Sequence, residues 1–260
     1  MKARTTFAEL TAAAKTIQAA GKVKFPVALP LLASSDISTQ YMNGLLSQGV
    51  AYTDAAGKTA ALTTPQSEAA LTALKNLAPF MDPQVTTFDQ PKVQQQMYNG
   101  TAAIAIMYSG RMADLINAKN SKFSADFGFA EPPAIKAGGK PWGVVSVDGW
   151  SIPKNMKLDR DLLFQIMAAS ISAEAGASSL PAAYPSRKGL VTPDKVPYAS
   201  AVQSTLADGA TTPPPFPWVS DLQAATRPFV AQVITGELSP KDAMSKMQTA
   251  ATAVLAKVAG

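Results

Sequence analysis

The residues whose types and spacing best suit chemistry are Asp148, Gly149 and Trp150, which follow a mostly apolar run over 144–147. The β-branched run predicts a buried strand, and the Asp-Gly pair favours a sharp backbone turn. Trp150 then offers a flat ring with one N–H donor, while Gly149 lets a ligand approach the backbone. This order suits an aromatic surface at the mouth of a cleft. The alternative is a core tryptophan beside a tight turn.

Enzymatic chemistry has few candidate residues. The chain contains no His and no Cys, which removes the usual general base and the thiolate nucleophile. A hydrolase would need paired carboxylates or a Ser-Lys arrangement, and most acidic residues are explained as helix caps. The stretch Gly138-Gly139-Lys140 lacks the spacing of a phosphate-binding loop. We therefore predict no catalytic residue, no metal site and no cofactor.

The charge pattern argues against a nucleic-acid partner. There are 23 Lys and Arg against 18 Asp and Glu, which gives a net charge of +5. The lysines are scattered and form no basic stripe with interleaved aromatic residues. No segment reaches the ~18 apolar residues of a membrane span. Residues 1–4 are not followed by the apolar core of a signal peptide.

Helical and extended patterns alternate along the chain. Thr6 and Glu9 fit a capping box that opens a helix ending at Gly21. Short strands are predicted at 25–29 and 102–108, and residues 131–140, rich in Pro, Gly and Lys, predict a crossover. Later helices are predicted at 159–172, 198–209, 219–235 and 240–258. A further short helix follows the first of these and ends at about residue 179. The mixture predicts a helix-rich α/β fold.

Six short motifs occur in one order along nearly the whole chain. They are Thr5–Leu10, Met97–Ile106, Pro132-Pro133, Asp148–Asn155, Pro185–Arg187 and Thr235–Ala243. Together they resemble the extracellular solute-binding proteins of ABC transporters, in the maltose-binding-protein-like branch that binds sugars and polyols. Two positions depart from that pattern. Asp148 replaces the first of two glycines, and Gly110-Arg111 stands where many members have a sugar-stacking tryptophan, which argues against a simple maltose-like ligand.

The resemblance implies a periplasmic-binding-protein-like α/β fold with two lobes, one complete and the other partial. Residues 1–131 and 181–260 would form the C-terminal-type lobe. Residues 142–179 would be the returning part of the N-terminal-type lobe, and 132–141 the crossover. We expect the first part of the N-terminal lobe to be missing, because the chain starts at a helix well inside the family pattern.

The function implied by the resemblance is that of the substrate-binding component of an ABC importer. It would bind a small neutral sugar or polyol, with a sugar acid as an alternative, in the cleft between the lobes and without chemistry. Its protein partners would be the membrane subunits of the transporter, and its location periplasmic or extracellular. The alternative is a truncated or degraded relative with no ligand, which acts only as a structural or interaction domain. In both cases self-association through the incomplete lobe is expected.

A site for hydroxyl-rich ligands needs flat rings, planar donors and short acceptors. The expected ligand-binding residues are Asp36, Tyr108, Arg111, Asp148, Gly149, Trp150, Tyr184, Arg187 and Trp218. Several have a structural alternative: Asp36 and Arg187 as helix caps, Asp148 as a turn residue, and Trp218 as packing after a proline run. Trp142, which follows Pro141, is expected to pack at the surface.

Overall fold

The structure, a computed structural model, describes residues 5–258 and is dominated by helices. The helices are α1 (Phe7–Ala20), α2 (Asp36–Leu46), α3 (Pro65–Leu77), α4 (Gln90–Tyr98), α5 (Met112–Leu115), α6 (Arg160–Ser170), α7 (Ala173–Ser178), α8 (Ala199–Ala207), α9 (Val219–Ile234) and α10 (Pro240–Val258). The strands are β1 (Phe25–Ala28) and β2 (Ala102–Ala105). The helix-rich α/β prediction is confirmed, and most predicted helix bounds agree to within two residues.

The first helix begins and ends where the sequence predicts. The Oγ1 of Thr6 accepts from the backbone N–H of Glu9 at 3.2 Å, and Glu9 Oε2 accepts from the N–H of Thr6 at 3.2 Å. This reciprocal pair is the predicted capping box. Gly21, with φ 63°, closes the helix in the left-handed conformation. Phe7 and Leu10 turn the buried face of α1 toward the core.

Strands β1 and β2 pair in parallel, with Phe25 opposite Ala102 and Ala28 opposite Ala105. Within residues 5–258 they form the whole sheet. The chain leaves β1 toward α2, and it leaves β2 toward Tyr108 and a 3₁₀ turn over Ser109–Arg111. Because the strands are parallel, both exits lie at the same edge of the pair, which we call the carboxyl edge.

The main core lies between α1, α2, α3, α9 and α10. Trp142 is at its centre, with 1% of the side chain exposed and its ring centroid 4.5 Å from that of Phe7. The prediction that Trp142 packs at the surface is therefore wrong. Backbone contacts explain its burial: Phe7 N–H donates to Ala134 O, and Trp142 N–H donates to Pro133 O, so the crossover lies against the start of α1.

The predicted strand at 144–148 is absent from the described structure. One isolated parallel bridge joins Val144 to Thr211, and the N–H of Val145 donates to Thr211 O at 2.9 Å. Beyond that point, residues 146–150 are exposed. A strand needs a neighbouring ladder to satisfy its backbone, and among residues 5–258 only Thr211 supplies such a contact to this run.

The segment after this bridge keeps much of its apolar surface outside the core. Helix α6 begins after its N-cap Asp159, whose Oδ1 accepts from two backbone N–H groups, and none of its residues 160–170 is buried. Ile166 is exposed, whereas Leu163 and Met167 are half-buried. The exposed large apolar residues of this segment are Val147, Trp150, Leu158, Leu162, Phe164, Ile166 and Ile171. We call this surface the 147–171 apolar face.

A smaller core fixes the loop around residues 181–198. Tyr198 is 1% exposed, its hydroxyl donates to Pro181 O at 2.7 Å, and it packs in one cluster with Ala113 of α5 and Val196. This loop therefore lies beside the chain that leaves β2. The division into 1–131 with 181–260 and 142–179 remains a prediction. None of the helices within residues 5–258 has the length and apolar character needed to cross a membrane.

Candidate functional site

The carboxyl edge gathers three of the predicted ligand-binding residues. Asp36 is the first residue of α2, and its Oδ2 accepts from the Oγ of Ser35 at 3.0 Å. Ser35, rather than Asp36, occupies the N-cap position, so Asp36 is not the cap residue. Tyr108 and Arg111 follow β2, and the N–H of Arg111 donates to Tyr108 O at 2.9 Å. Carboxylate, phenol and guanidinium thus lie on chain exits that share one edge.

The charge of Asp36 acts on the phenol of Tyr108. Tyr108 is 39% exposed. Partial burial raises the pKa of its phenol, and the negative charge of Asp36 raises that pKa further. The phenol therefore stays protonated at neutral pH and is available as a hydrogen-bond donor. A protonated phenol beside a carboxylate offers one donor and several acceptors to a ligand hydroxyl.

Arg111 is held by Gln94, a residue of α4 that the sequence analysis did not select. Gln94 is 4% exposed, its Nε2 donates to Arg111 O at 3.0 Å and to Asp114 Oδ2 at 3.1 Å, and its Oε1 accepts from Arg111 Nη1 at 3.4 Å. Gln94 lies next to Val93 on the buried side of α4, which also carries the buried glutamines Gln90 and Gln96. A buried amide at such a position needs hydrogen-bond partners.

Trp218 begins α9 and lies in a compact aromatic contact. Its ring stacks on Phe216, with centroids 4.6 Å apart and planes 25° apart. Gly57, with φ 71°, brings its turn so close that a Cβ there would be 2.7 Å from Phe216 and 2.8 Å from Trp218. The Nε1 of Trp218 is buried and has no hydrogen-bond partner within the described residues. Trp218 therefore packs against its neighbours after the proline run, which was the structural alternative to a role in ligand binding. Its indole N–H remains without an acceptor among the described residues.

Tyr184 and Arg187 lie on the 181–198 loop. The ring of Tyr184 is 6.3 Å from that of Tyr198, and partial burial raises the pKa of its phenol. The Nη2 of Arg187 donates to the carbonyl of Ile171 at 3.3 Å, at the C-terminal end of α6. Arg187 thus makes the helix-capping contact that was its structural alternative. Its part in ligand binding stays a prediction.

Asp148, Gly149 and Trp150 lie in the exposed stretch after the Val144 bridge. Trp150 is 67% exposed. Gly149 is not among the glycines with positive φ, and no turn is present at this position, so the predicted sharp turn is wrong. Within residues 5–258, no hydrogen bond or ring contact joins Trp150 to another predicted site residue. The convergence of Trp150 with Arg111 and Arg187 stays a prediction.

A pocket lies at the opposite, amino edge of the strand pair. It has a volume of about 300 Å³ and is lined by residues that include Phe25, Phe88, Gln95, Asn99 and Thr101. Two ammonium groups are near its rings: Lys24 Nζ lies 5.1 Å from the Phe25 centroid and Lys92 Nζ lies 5.2 Å from the Phe88 centroid. None of the predicted ligand-binding residues lines this pocket.

Comparison with protein families gives a direct assignment. A model of the bacterial extracellular solute-binding protein family matches residues 2–175, two thirds of the chain. The chain belongs to this family. The membership confirms the resemblance seen in the six motifs, and the family description places such proteins outside the cytoplasmic membrane. A comparison with curated proteins found no match.

Solved structures of other solute-binding proteins share the fold. One from Agrobacterium radiobacter K84, in complex with ribitol, has a TM-score of 0.78 at 19% identity and covers 97% of this chain and 65% of its own. One from Thermotoga lettingae TMO, bound to α-D-tagatose, has a TM-score of 0.79 at 18% identity over 98% and 65%. One from Agrobacterium vitis S4, with bound D-mannitol, has a TM-score of 0.73 at 18% identity over 100% and 67%. The present chain thus spans about 65% of the length of the first of these relatives, and its fold is periplasmic-binding-protein-like.

The titratable groups of this solute-binding protein include one close carboxyl pair. Burial raises the pKa of the Glu131 carboxyl, and the charge of Asp208, beyond the end of α8, raises it further. This pair includes none of the predicted ligand-binding residues. Within residues 5–258, no group of three or more acidic side chains is arranged to hold a metal ion.

Proposed function

We propose that this chain is the substrate-binding component of an ABC importer and that it binds a small sugar or polyol without chemistry. The observation on which the proposal depends is the position of Asp36, Tyr108 and Arg111 in a member of this family. Ligands of open α/β folds bind outside the carboxyl ends of parallel strands. The three side chains lie on the chain exits at that edge.

The chemistry of these side chains suits a neutral, hydroxyl-rich ligand. Asp36 accepts two hydroxyls, Tyr108 donates and accepts, and Arg111 offers a planar fork of donors. Trp218 adds an aromatic ring. Three relatives with the same fold are described with bound ribitol, α-D-tagatose and D-mannitol. A sugar acid is the second ligand class, because the guanidinium of Arg111 can pair with a ligand carboxylate.

The proposal includes two lobes and a closing motion. Residues 1–131 and 181–260 form one lobe, and residues 142–179 belong to the other, linked by the crossover at 132–141. Closure would bring Trp150 from its exposed position onto the apolar face of the sugar ring, with Asp148 and Arg187 at its sides. The protein would act in the periplasm or outside the cell and deliver its ligand to the membrane subunits of the transporter.

Isothermal titration calorimetry with a ligand panel tests the proposal. The panel contains ribitol, D-mannitol, D-tagatose, maltose, gluconate and a dipeptide. We expect binding of at least one sugar or polyol at micromolar affinity, on the order of −8 kcal/mol, and a loss of at least tenfold on Arg111→Ala. Arg160→Ala is the matched control, because Arg160 is an exposed arginine whose Nη2 donates to Lys154 O, away from the carboxyl edge. Binding of the dipeptide alone would show that the ligand class is wrong.

A second function is favoured by the 147–171 apolar face. Seven large apolar residues exposed on one segment exceed the scattered apolar residues of an ordinary surface. A chain that acts as an interaction domain would self-associate through this face and bind no sugar. Light scattering after size-exclusion chromatography distinguishes the two functions: a dimer that Leu162→Ser with Ile166→Ser converts to monomer supports association through this face, because residues four apart lie on the same side of α6. A monomeric wild type argues against it.

A further inference from the structure

Gln94 contacts one residue of the proposed site through both ends of its amide. Its Nε2 donates to the backbone O of Arg111 at 3.0 Å, and its Oε1 accepts from Arg111 Nη1 at 3.4 Å. The second hydrogen of Nε2 goes to Asp114 Oδ2 at 3.1 Å. The backbone and the guanidinium of Arg111 are thus tied to the same buried group.

The surroundings of Gln94 make this contact rigid. Gln94 is 4% exposed and lies on α4 between the buried residues Val93 and Met97. Helix α4 itself is fixed by the side chain of Asp89, which accepts from Lys92 N, and by packing onto β2. If the amide turned away to solvent, the backbone O of Arg111 and Oδ2 of Asp114 would each lose a hydrogen-bond donor.

The partner of Arg111 is neutral, and this affects what the guanidinium can do. The amide oxygen of Gln94 fixes one guanidinium nitrogen and leaves the other N–H groups for a ligand. Arg111 also stands on a 3₁₀ turn, where an unsupported long side chain would sample several rotamers. Holding it in one rotamer before binding lowers the entropy cost of complex formation.

We infer that Gln94 is the positioning residue of the ligand site and that it fixes the Arg111 guanidinium at the carboxyl edge. The effect of Gln94 on ligand affinity rests on the proposed function. The structural part of the inference, the restraint of Arg111, holds with or without a bound sugar. Gln94 itself is too buried to touch the ligand and acts through Arg111.

The test in solution measures the mobility of Arg111 directly. The chain has five arginines, so their ¹⁵Nε–¹H signals are few, and Arg111→Lys assigns the relevant one. We expect a rigid Nε–H in the wild type and a mobile one in Gln94→Leu and Gln94→Met. Gln96→Leu is the matched control, since Gln96 is also a buried glutamine of α4 and its side chain makes no hydrogen bond to Arg111. An Arg111 signal that is equally rigid in Gln94→Leu and wild type would overturn the inference.

A double-mutant cycle tests the consequence for binding. With the tightest ligand of the panel, Gln94→Met should weaken affinity about tenfold in the wild type and less than twofold when Arg111 is already alanine. A merely structural effect would weaken both backgrounds equally and would contradict the positioning role. If the wild type binds nothing in the panel, the proposed function fails, whereas the NMR result still decides whether Gln94 restrains Arg111.

Discussion

The indole Nε1 of Trp142 donates a hydrogen bond of 2.9 Å to Oε1 of Gln40, with both side chains buried. Through this contact the crossover that precedes Val144 is bonded to the middle of α2. Trp142→Phe removes the donor and leaves the Gln40 oxygen unsatisfied, so we expect a loss of about 2 kcal/mol in the free energy of unfolding. Urea denaturation followed by circular dichroism measures it. A loss below about 0.5 kcal/mol would contradict the importance of this bond.

Gly44 is required by the packing of the same tryptophan. A Cβ at this position would be 2.5 Å from two ring carbons of Trp142 and 2.8 Å from the Cβ of Ala70. Gly44→Ala should therefore destabilise the protein by about 1–3 kcal/mol, although alanine favours a helix. Gly128→Ala is the control, because nothing lies within 4 Å of its added Cβ. Equal midpoints for the two variants in urea would show that α2 can shift away from Trp142 at little cost.

Gly57 tests the aromatic contact of Trp218. Alanine there would require a positive φ of 71° and would press on both Phe216 and Trp218. Gly236→Ala has a similar φ of 84° with open space around it, so it reports the backbone strain alone. We expect Gly57→Ala to lose more stability than Gly236→Ala and to weaken sugar binding several-fold. Unchanged binding in a folded Gly57→Ala variant would remove Trp218 from the site.

The carboxyl pair of Glu131 and Asp208 predicts a pH dependence. The folded-state pKa of Glu131 is raised, chiefly by burial, so its contribution to stability is complete below the usual glutamate pKa and is lost as the pH rises through the raised value. Glu131→Gln should therefore be more stable than the wild type at pH 7 and lose that advantage near pH 4. Glu237→Gln, at an exposed glutamate, is the control variant. Thermal unfolding at several pH values checks this, and parallel curves for Glu131→Gln and wild type would refute it.

Trp150 is expected to stack on the ligand once the lobes close. Trp150→Ala should then weaken sugar binding about threefold to tenfold, as expected for one aromatic contact. Phe164→Ala is the control, because Phe164 is another exposed aromatic residue of the 147–171 apolar face. Calorimetry on both variants distinguishes the roles. An affinity that is unchanged by Trp150→Ala would show that the assignment of Trp150 is wrong.

The features that the sequence predicted correctly depend on neighbours along the chain. The Thr6–Glu9 capping box and the start of α6 after Asp159 need only three or four residues. The strand at 144–148 failed because a strand exists only with a partner from elsewhere. The burial of Trp142 likewise depends on Gln40 and Phe7, which are far from it in sequence.

For the candidate site, too, the sequence indicates the residue types but not the contacts between residues that are distant along the chain. Asp36, Tyr108 and Arg111 could be selected from their chemistry and from the family resemblance. Their common edge follows from the parallel pairing of β1 and β2, which spacing alone does not reveal. Gln94 was missed because a glutamine in a polar helix has no chemical signature. Its role depends on a contact 17 residues along the chain.

The most direct test of the central claim is a ¹H–¹⁵N NMR titration of the chain with the sugar or polyol that binds in calorimetry. Binding at the carboxyl edge predicts shifts for Asp36, Tyr108 and Arg111, together with the indole signal of Trp218. Signals around the pocket at the amino edge, such as Phe25 and Asn99, should stay in place. Shifts confined to Phe25, Asn99 and their neighbours, with the carboxyl edge unchanged, would contradict the account.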